Sequence, residues 1–337
     1  MKNDNFIMLP NNLIWNYKTK EETIYNMFGE KVPYIISYLV STRDRKGYSR
    51  TSIKELIESC GLKCKRGEGK SINVFKELLS ILQTYNYIDS DIDFPKVNIN
   101  ELIKCKVVLD FISKEITTKE DNMIITENKK TEFFKIDIDE YYRLIENTSK
   151  LDTCTLINIY FYIVARLRHE DNKAIVCYMS NDNILKDLNI SKNTLNKYLS
   201  YLKDNEFIYF SNIGTIENGN KKLTANNVYA LDKNELNKGL EESKVYYTLQ
   251  GYTILGNNTK STVMTINGLK GRIKQLKEQG KDTSKMEDKL QEELNKIKPK
   301  DETISDEEVE DVLNSKGISE KEAGFTNGFG LDNPFKR

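Results

Sequence analysis

Two clusters of small polar and basic residues carry most of the binding chemistry in this sequence, and both fall in equivalent settings. Ser191, Lys192, Asn193, Thr194, Asn196 and Lys197 crowd together in one, and Lys63, Lys65, Arg66, Lys70, Ser71 and Asn73 in the other. Such side chains suit hydrogen bonding and ion pairing rather than bond-making. Amides and hydroxyls match the edges of bases, and ammonium and guanidinium groups match phosphates. A further basic pair, Lys221 and Lys222, follows Asn218-Gly219, a strong hairpin signal, and could meet a nucleic-acid backbone or minor groove.

Most catalytic arrangements are excluded by composition. The sequence holds one histidine, His169, which removes nucleophile–histidine chemistry and histidine-dependent nicking of DNA. Cys60, Cys64, Cys105, Cys154 and Cys177 are scattered, and the one close pair, Cys60 and Cys64, lacks the further ligands of a tetrahedral zinc site. Gly67-Glu68-Gly69-Lys70-Ser71 looks like the end of a phosphate-binding loop. The required earlier glycine falls at Cys64, however, and the stretch precedes a helix without following a strand, so it reads as a basic turn. A non-enzymatic protein without metal or cofactor is expected. Trp15 reads as a core anchor, and His169 as a surface residue at the polar end of an apolar helix.

The elements that must position the two clusters occur twice. A short strand, Phe6–Leu13 or Phe133–Tyr141, leads to an apolar helix, Tyr34–Val40 or Leu156–Val164. A capped short helix follows, at Ser52-Ile53-Lys54-Glu55 in capping-box spacing and at Ser180–Leu188. A second capped helix then carries each cluster, over Ser71–Leu82 and Ser191–Lys203, with Leu195, Leu199 and Leu202 on one face. Each ends at a polar stop and an aromatic-Ile pair, Asn86-Tyr87-Ile88 and Glu206-Phe207-Ile208. Two helices joined by a turn, the second opening in Ser, Thr, Asn and Lys, give the helix-turn-helix layout. In the second copy a hairpin wing is predicted from Ile208–Ile213 and Asn227–Leu231, with its tip at Glu217–Lys222. In the first, Asp89–Asp93 reads as a turn, Val97–Ile99 as a strand, and Cys105–Ser113 as a strand or a connecting helix.

This layout, with Ser-Asn-Asp-Asn-Ile-Leu, Ser191-Lys192-Asn193-Thr194 and Asn227-Val228-Tyr229, resembles winged-helix replication initiators of low-GC Gram-positive plasmids and phages. The opening Phe6–Leu13 segment is similar to the N-terminal module of RepA-type initiators. The resemblance covers about residues 6–232. It implies two winged helices on successive stretches of one double-stranded DNA site, origin binding and recruitment of host replication proteins. A transcriptional regulator, or a partition or conjugation adaptor, would use the same parts.

The expected fold is mainly α with small β-wings, an α+β class. A winged-helix module over 1–115 and a linker over 116–130 precede a second module over 131–240. An extension with a helical segment spans 241–298, and a disordered acidic tail 299–337. Lysine and arginine total 51, as do aspartate and glutamate, but the tail holds ten acids against five bases, which leaves residues 1–298 mildly basic. Within the extension, Lys244–Leu255 reads as a strand or an irregular stretch. The spacing of Leu269, Ile273, Leu276, Met286, Leu290, Leu294 and Ile297 predicts a seam that either pairs two chains or closes a hairpin near Gly280. No apolar run approaches the roughly 20 residues of a membrane helix, and Met1–Asn5 lacks a secretory apolar core, so a cytoplasmic location is expected. At the end, Leu331, Pro334 and Phe335 resemble the docking peptides of single-strand-binding proteins and are expected to bind a host replication factor.

Overall fold

The computed structural model describes residues 5–16, 23–109, 112–120, 123–147, 149–170, 172–219, 221–256, 260–278 and 282–295. The protein is α+β with small sheets. It divides into two compact units, Met1–Arg166 with Asp182–Phe207, and Leu167–Asn181 with Ile208–Arg337. The tail from residue 299, including Leu331, Pro334 and Phe335, lies outside the described residues.

The chain opens with β1 (Phe6–Pro10), α1 (Ile24–Phe28), α2 (Val32–Ser41), β2 (Tyr48–Thr51), α3 (Ile53–Ser59), α4 (Ser71–Thr84), β3 (Ile88–Asp89) and β4 (Ile103–Val107). It continues through β5 (Ile112–Glu120), β6 (Met123–Thr131), β7 (Phe133–Asp137), α5 (Ile138–Ile145) and α6 (Thr153–Val164). After β8 (Val176–Met179) come α7 (Asn181–Asp187) and α8 (Lys192–Asp204). All of these except β8 and the first residue of α7 lie in the first unit.

The expected duplication is visible in detail within that unit. Helices α2 and α6, apolar nearly all round, are buried almost along their whole length and pack on each other. The lead strands β1 and β7 pair antiparallel, with Met8 opposite Lys135 at the centre of the ladder. The bonds flanking this ladder are reciprocal: Asn11 N–H donates to Glu132 O at 2.8 Å, and Ile138 N–H donates to Asn5 O at 3.0 Å. The two copies therefore meet about a local two-fold axis.

Equivalent turns close equivalent helices. After α3 and α7 the chain reverses through a left-handed residue, Gly61 at φ 76° and Asn189 at φ 48°. After α4 and α8 it does so at Asn86 and Glu206, whose following N–H groups reach back to Leu82 O and Leu202 O, both at 2.8 Å. Side-chain oxygens cap three of these helices, Ser52 for α3, Asp152 for α6 and Ser191 for α8, whereas α4, expected to be capped, follows Lys70 with no side-chain cap. The capping box at Ser52 is half made, because the Glu55 carboxylate accepts from Tyr38 and Thr51 hydroxyls.

Several expectations need correction. Strands β2 and β8, between the central helix and the following helix pair of each copy, are additional elements. They give two sheets of the same order, β2-β4-β3 in the first unit and β8-β12-β9 in the second, where β9 is Tyr209–Ser211 and β12 Asn227–Ala230. Val97–Ile99 is not a strand; the returning strand is β4, since the loop after β3 is held by the buried side chain of Phe94. Cys105 thus lies at the middle of a strand, and residues 116–120 and 123–130, within the stretch 116–130 expected as a linker, form most of the β5–β6 ladder. Trp15, expected in the core, is half-buried with the Arg166 guanidinium over its ring at 4.9 Å.

In the second unit the predicted wing tip is itself a hairpin, β10 (Thr215–Asn218) with β11 (Lys221–Thr224), and Gly219 turns at φ 58°. Lys244–Leu249 is not a strand but the end of α9 (Lys233–Leu249), capped by Asp232. β13 (Thr253–Gly256) then pairs with β10. Of the two outcomes left open for the apolar seam, the hairpin is observed: α10 (Lys260–Glu278) and α11 (Ser284–Asn295) pack together, with Lys277 paired to Glu287 at 2.7 Å.

Helix α9 lies against the sheet β8-β12-β9 through Gly239, where a Cβ would fall 2.8 Å from Val228 Cγ1 and 2.9 Å from Val176 Cγ1. Beside it, the buried Glu242 carboxylate pairs with Arg168 and accepts from Tyr178 OH at 2.9 Å and Ala174 N–H at 3.0 Å. These three partners satisfy a charge that would be costly alone. Alanine normally stabilises a helix interior over glycine by about 1 kcal/mol, so Gly271→Ala in α10, which meets nothing within 4 Å, should strengthen that helix. Gly239→Ala should instead destabilise by about 1–3 kcal/mol, as overpacking does. Denaturant unfolding of the two variants should shift in opposite directions; a matching shift would refute the close approach at Gly239.

Candidate nucleic-acid interface

Helix α8 is anchored by Leu195, Tyr198, Leu199 and Leu202, all buried. That anchoring turns Lys192, Asn193, Asn196, Lys197, Ser200 and Lys203 outward onto one exposed face, and the first acid along the helix is Asp204 at its end. Ser191 and Thr194, expected among the contacting residues, are engaged in the cap. Ser191 Oγ accepts from Thr194 N–H at 3.1 Å, and the two hydroxyls lie 2.9 Å apart. The turn into the helix is short, from Leu188 to Ser191, so the cap fixes where Lys192 and Asn193 emerge.

The first copy differs. Its helices α3 and α4 are separated by the longer stretch 60–70, on which Lys63, Lys65, Arg66 and Lys70 are all exposed or half-buried at the surface. Gly67 and Gly69, at φ 121° and 64°, let this stretch fold back to the start of α4. Ser71 holds it there: its hydroxyl donates to Lys63 O at 2.6 Å and accepts from Lys65 N–H at 3.0 Å. Ser71 is thus a positioning residue, its hydroxyl already used. The stretch follows helix α3, not a strand, in keeping with a basic turn.

Asn73 is exposed on the first turn of α4, but the outward face beyond it is unlike that of α8. Lys76 is spent on the loop after β3, donating to Pro95 O at 3.0 Å and Val97 O at 2.6 Å, and Glu77 is exposed. This clamp was not legible beforehand, because its acceptors are backbone carbonyls 19 and 21 residues away.

Lys221 and Lys222 are exposed on β11, an edge strand of the second unit. Lys222 lies 3.4 Å from Glu217, its cross-strand neighbour, and remains 62% exposed; such a pair is weak and leaves the ammonium group reachable.

The cysteines are mostly buried. Burial pushes the Cys105 thiol up to about 12. The Cys154 thiol is held well above its ordinary value by its hydrogen bond with Cys60 and by burial. Neither is a ready thiolate. Among the described residues no group of three or more potential metal ligands comes together. His169 is exposed, whereas its neighbour Arg168 turns inward to Glu242. Compared with protein-family models, curated proteins and solved structures, the chain matches none.

Ser191→Ala should cost about 1 kcal/mol, the ordinary worth of such a cap. Ser71→Ala should free the basic stretch, so that hydrogen exchange at the Lys65 amide quickens while α8 amides are unchanged. An unaltered Lys65 amide would remove Ser71 from its positioning role.

Proposed function

We propose that this protein binds double-stranded DNA sequence-specifically through two winged-helix modules, and initiates replication of a plasmid or phage by recruiting host replication proteins. The observation that carries the reading is the outward face of α8: Lys192, Asn193, Asn196 and Lys197 exposed together on a buried apolar anchor, with no acid before Asp204. Amides that reach base edges flanked by ammonium groups that reach phosphates are what major-groove recognition requires. The repeated sheet order, in which the first strand after each helix pair lies beside a returning strand, β3 beside β4 and β9 beside β12, supports wings in both copies.

In this reading Lys63, Lys65, Arg66 and Lys70 hold the backbone for the first module, Asn73 reads at its edge, and Lys221 and Lys222 supply a basic hairpin tip. The local two-fold of β1 and β7 sets the two modules on half-sites that run in opposite directions. Leu331, Pro334 and Phe335 of the acidic tail dock the host factor. The protein is cytoplasmic and needs no cofactor; among the described residues no helix is long and apolar enough to cross a membrane.

Footprinting on DNA flanking the gene should show two protected, oppositely oriented half-sites, with affinity falling steeply as salt rises. Lys192→Ala should weaken all sequences alike and flatten the salt slope by about one unit. Asn193→Ala should cost roughly 1–3 kcal/mol at a single base pair and relax preference there. Uniform loss from both substitutions would remove base reading by α8, and absence of protection would remove DNA binding altogether. Given protection, a plasmid-maintenance assay separates an initiator from a regulator. Deletion of residues 324–337 should abolish capture of the purified host replication factor while leaving the footprint intact; equal capture would sink the docking role.

A further inference from the structure

The sheet β2-β4-β3 of the first unit turns one face to the core and the other to water. Alternation along the strands settles which is which. Ser49, Thr51, Ile103 and Cys105 are buried, and α2 packs on β2 and β4. The residues between them, Arg50, Lys104 and Lys106, are exposed on the outer face, with Tyr48 half-buried among them. The turn that leads into β2 adds Arg45 and Lys46, both exposed at its tip. Gly47, at φ 84°, closes this turn, and its N–H donates to Asp44 O at 2.9 Å.

The register of the strands gathers these cations. Arg50 lies directly opposite Lys104, and Tyr48 opposite Lys106. Opposed Cβ atoms stand roughly 5 Å apart, where like charges destabilise a sheet. The Lys104 ammonium group lies 4.1 Å from the centre of the Tyr48 ring. The Lys106 stem reaches the turn, since a Cβ on Gly47 would fall 3.7 Å from Lys106 Cε. Among the described residues, none of Arg45, Lys46, Arg50, Lys104 and Lys106 forms an ion pair with a carboxylate. Two acids stand near. Asp44 spends its carboxylate on the turn, where Oδ1 accepts from Lys46 N–H at 2.8 Å and Tyr48 N–H at 3.0 Å. Asp89 is opposite Lys106 on the edge strand β3. Positive charge is left in excess on a face with no amide side chain to read a base.

We propose that the outer face of this sheet, with the turn before β2, seats the phosphate backbone of duplex DNA without regard to sequence. Guanidinium and ammonium groups that hold no carboxylate match phosphate oxygens, and a bound phosphate offsets the repulsion of Arg50 and Lys104. A duplex turns its phosphates outward and hides its bases. A single strand draws affinity from bases stacked on open aromatic rings, whereas the one ring on this face, Tyr48, already carries Lys104. The choice of DNA as the polyanion rests on the function proposed above. The contact itself is additional, because it uses neither α8 nor the basic stretch 60–70.

The test is the salt dependence of binding by the full chain to a duplex of random sequence and to one of its separated strands, read by fluorescence anisotropy. Two double variants are compared with the parent, Arg50→Gln with Lys104→Gln on the strands, and Arg45→Gln with Lys46→Gln at the turn. Each lost phosphate contact removes about 0.9 from the slope of log affinity against log salt, so each pair should flatten the duplex slope by about two units. The single strand should bind more weakly than the duplex and respond less to the substitutions. All four side chains are exposed, so the melting temperature should stay near that of the parent. If the strand pair disturbs the sheet, the turn pair still carries the test. A duplex slope unchanged by both pairs overturns the proposal, and sedimentation of the same variants then shows whether a second copy of the chain holds the face. Tighter binding of the single strand, lost in both variants, also overturns it, by making the face a stacking surface. Loss of site-specific protection, with the random-duplex slope still set by these residues, would defeat sequence reading by α8 and leave this contact standing.

Discussion

The burial of α2 against α6, locked by the ladder of β1 on β7, is the contact on which the rest of the first unit depends. Neither helix has a polar face to give to water, so each is the other's solvent-free partner. Nor can either slide, because the ladder is flanked by reciprocal hydrogen bonds from Asn11 and Ile138 that fix its register. Buried polar groups tighten the arrangement further. The Ser37 and Tyr141 hydroxyls lie 3.0 Å apart, and Asn158 reaches Glu30 O across the two copies. Each copy's helix pair, α3 with α4 and α7 with α8, then hangs from this shared core: Tyr34 OH donates to Leu56 O in the first, and Tyr198 OH accepts from Asp152 N–H in the second.

From that core outward, the same physics produces two different surfaces. Left-handed stops at equivalent places set the lengths of α3, α4, α7 and α8, and apolar anchors set their orientation. What differs is where the cations go. In the second copy they lie along the helix itself, on a face with no competing acid. In the first they precede the helix on a glycine-hinged stretch, one lysine of the helix is consumed as a clamp, and Glu77 stands exposed. The two copies therefore share their backbone hydrogen bonds, which tolerate no loss when buried, and differ in the side chains they present at the surface.

What could be read from residues alone follows the same division. Periodic apolar positions, cap residues and the Asn86 and Glu206 stops are local signals, and they located α3, α4, α7, α8 and the face of α8 on which the candidate site is built. Strands β2 and β8 were missed because four residues are too few for a period to declare itself, and Val176–Met179 is buried on both faces, which erases alternation. The strands of the β5–β6 ladder are polar enough in composition to match a linker. Ser71 and Ser191 were read as contact residues when their hydroxyls serve the backbone, a distinction of geometry that residue type does not carry. The roles of Gly239 and Glu242 exist only once α9 meets a sheet formed by strands distant in sequence.

The pairing of β1 with β7 also has a temporal side. The first strand leaves the ribosome long before its partner exists, because the interval is about 130 residues, on the order of ten seconds of synthesis. For that time the nascent chain carries an unpaired strand edge and one largely apolar helix, α2, whose counterpart has not yet been made. A growing polypeptide in this condition is a natural client for holding chaperones, and on a crowded polysome its β1 edge and α2 can be claimed by β7 and α6 of the chain ahead.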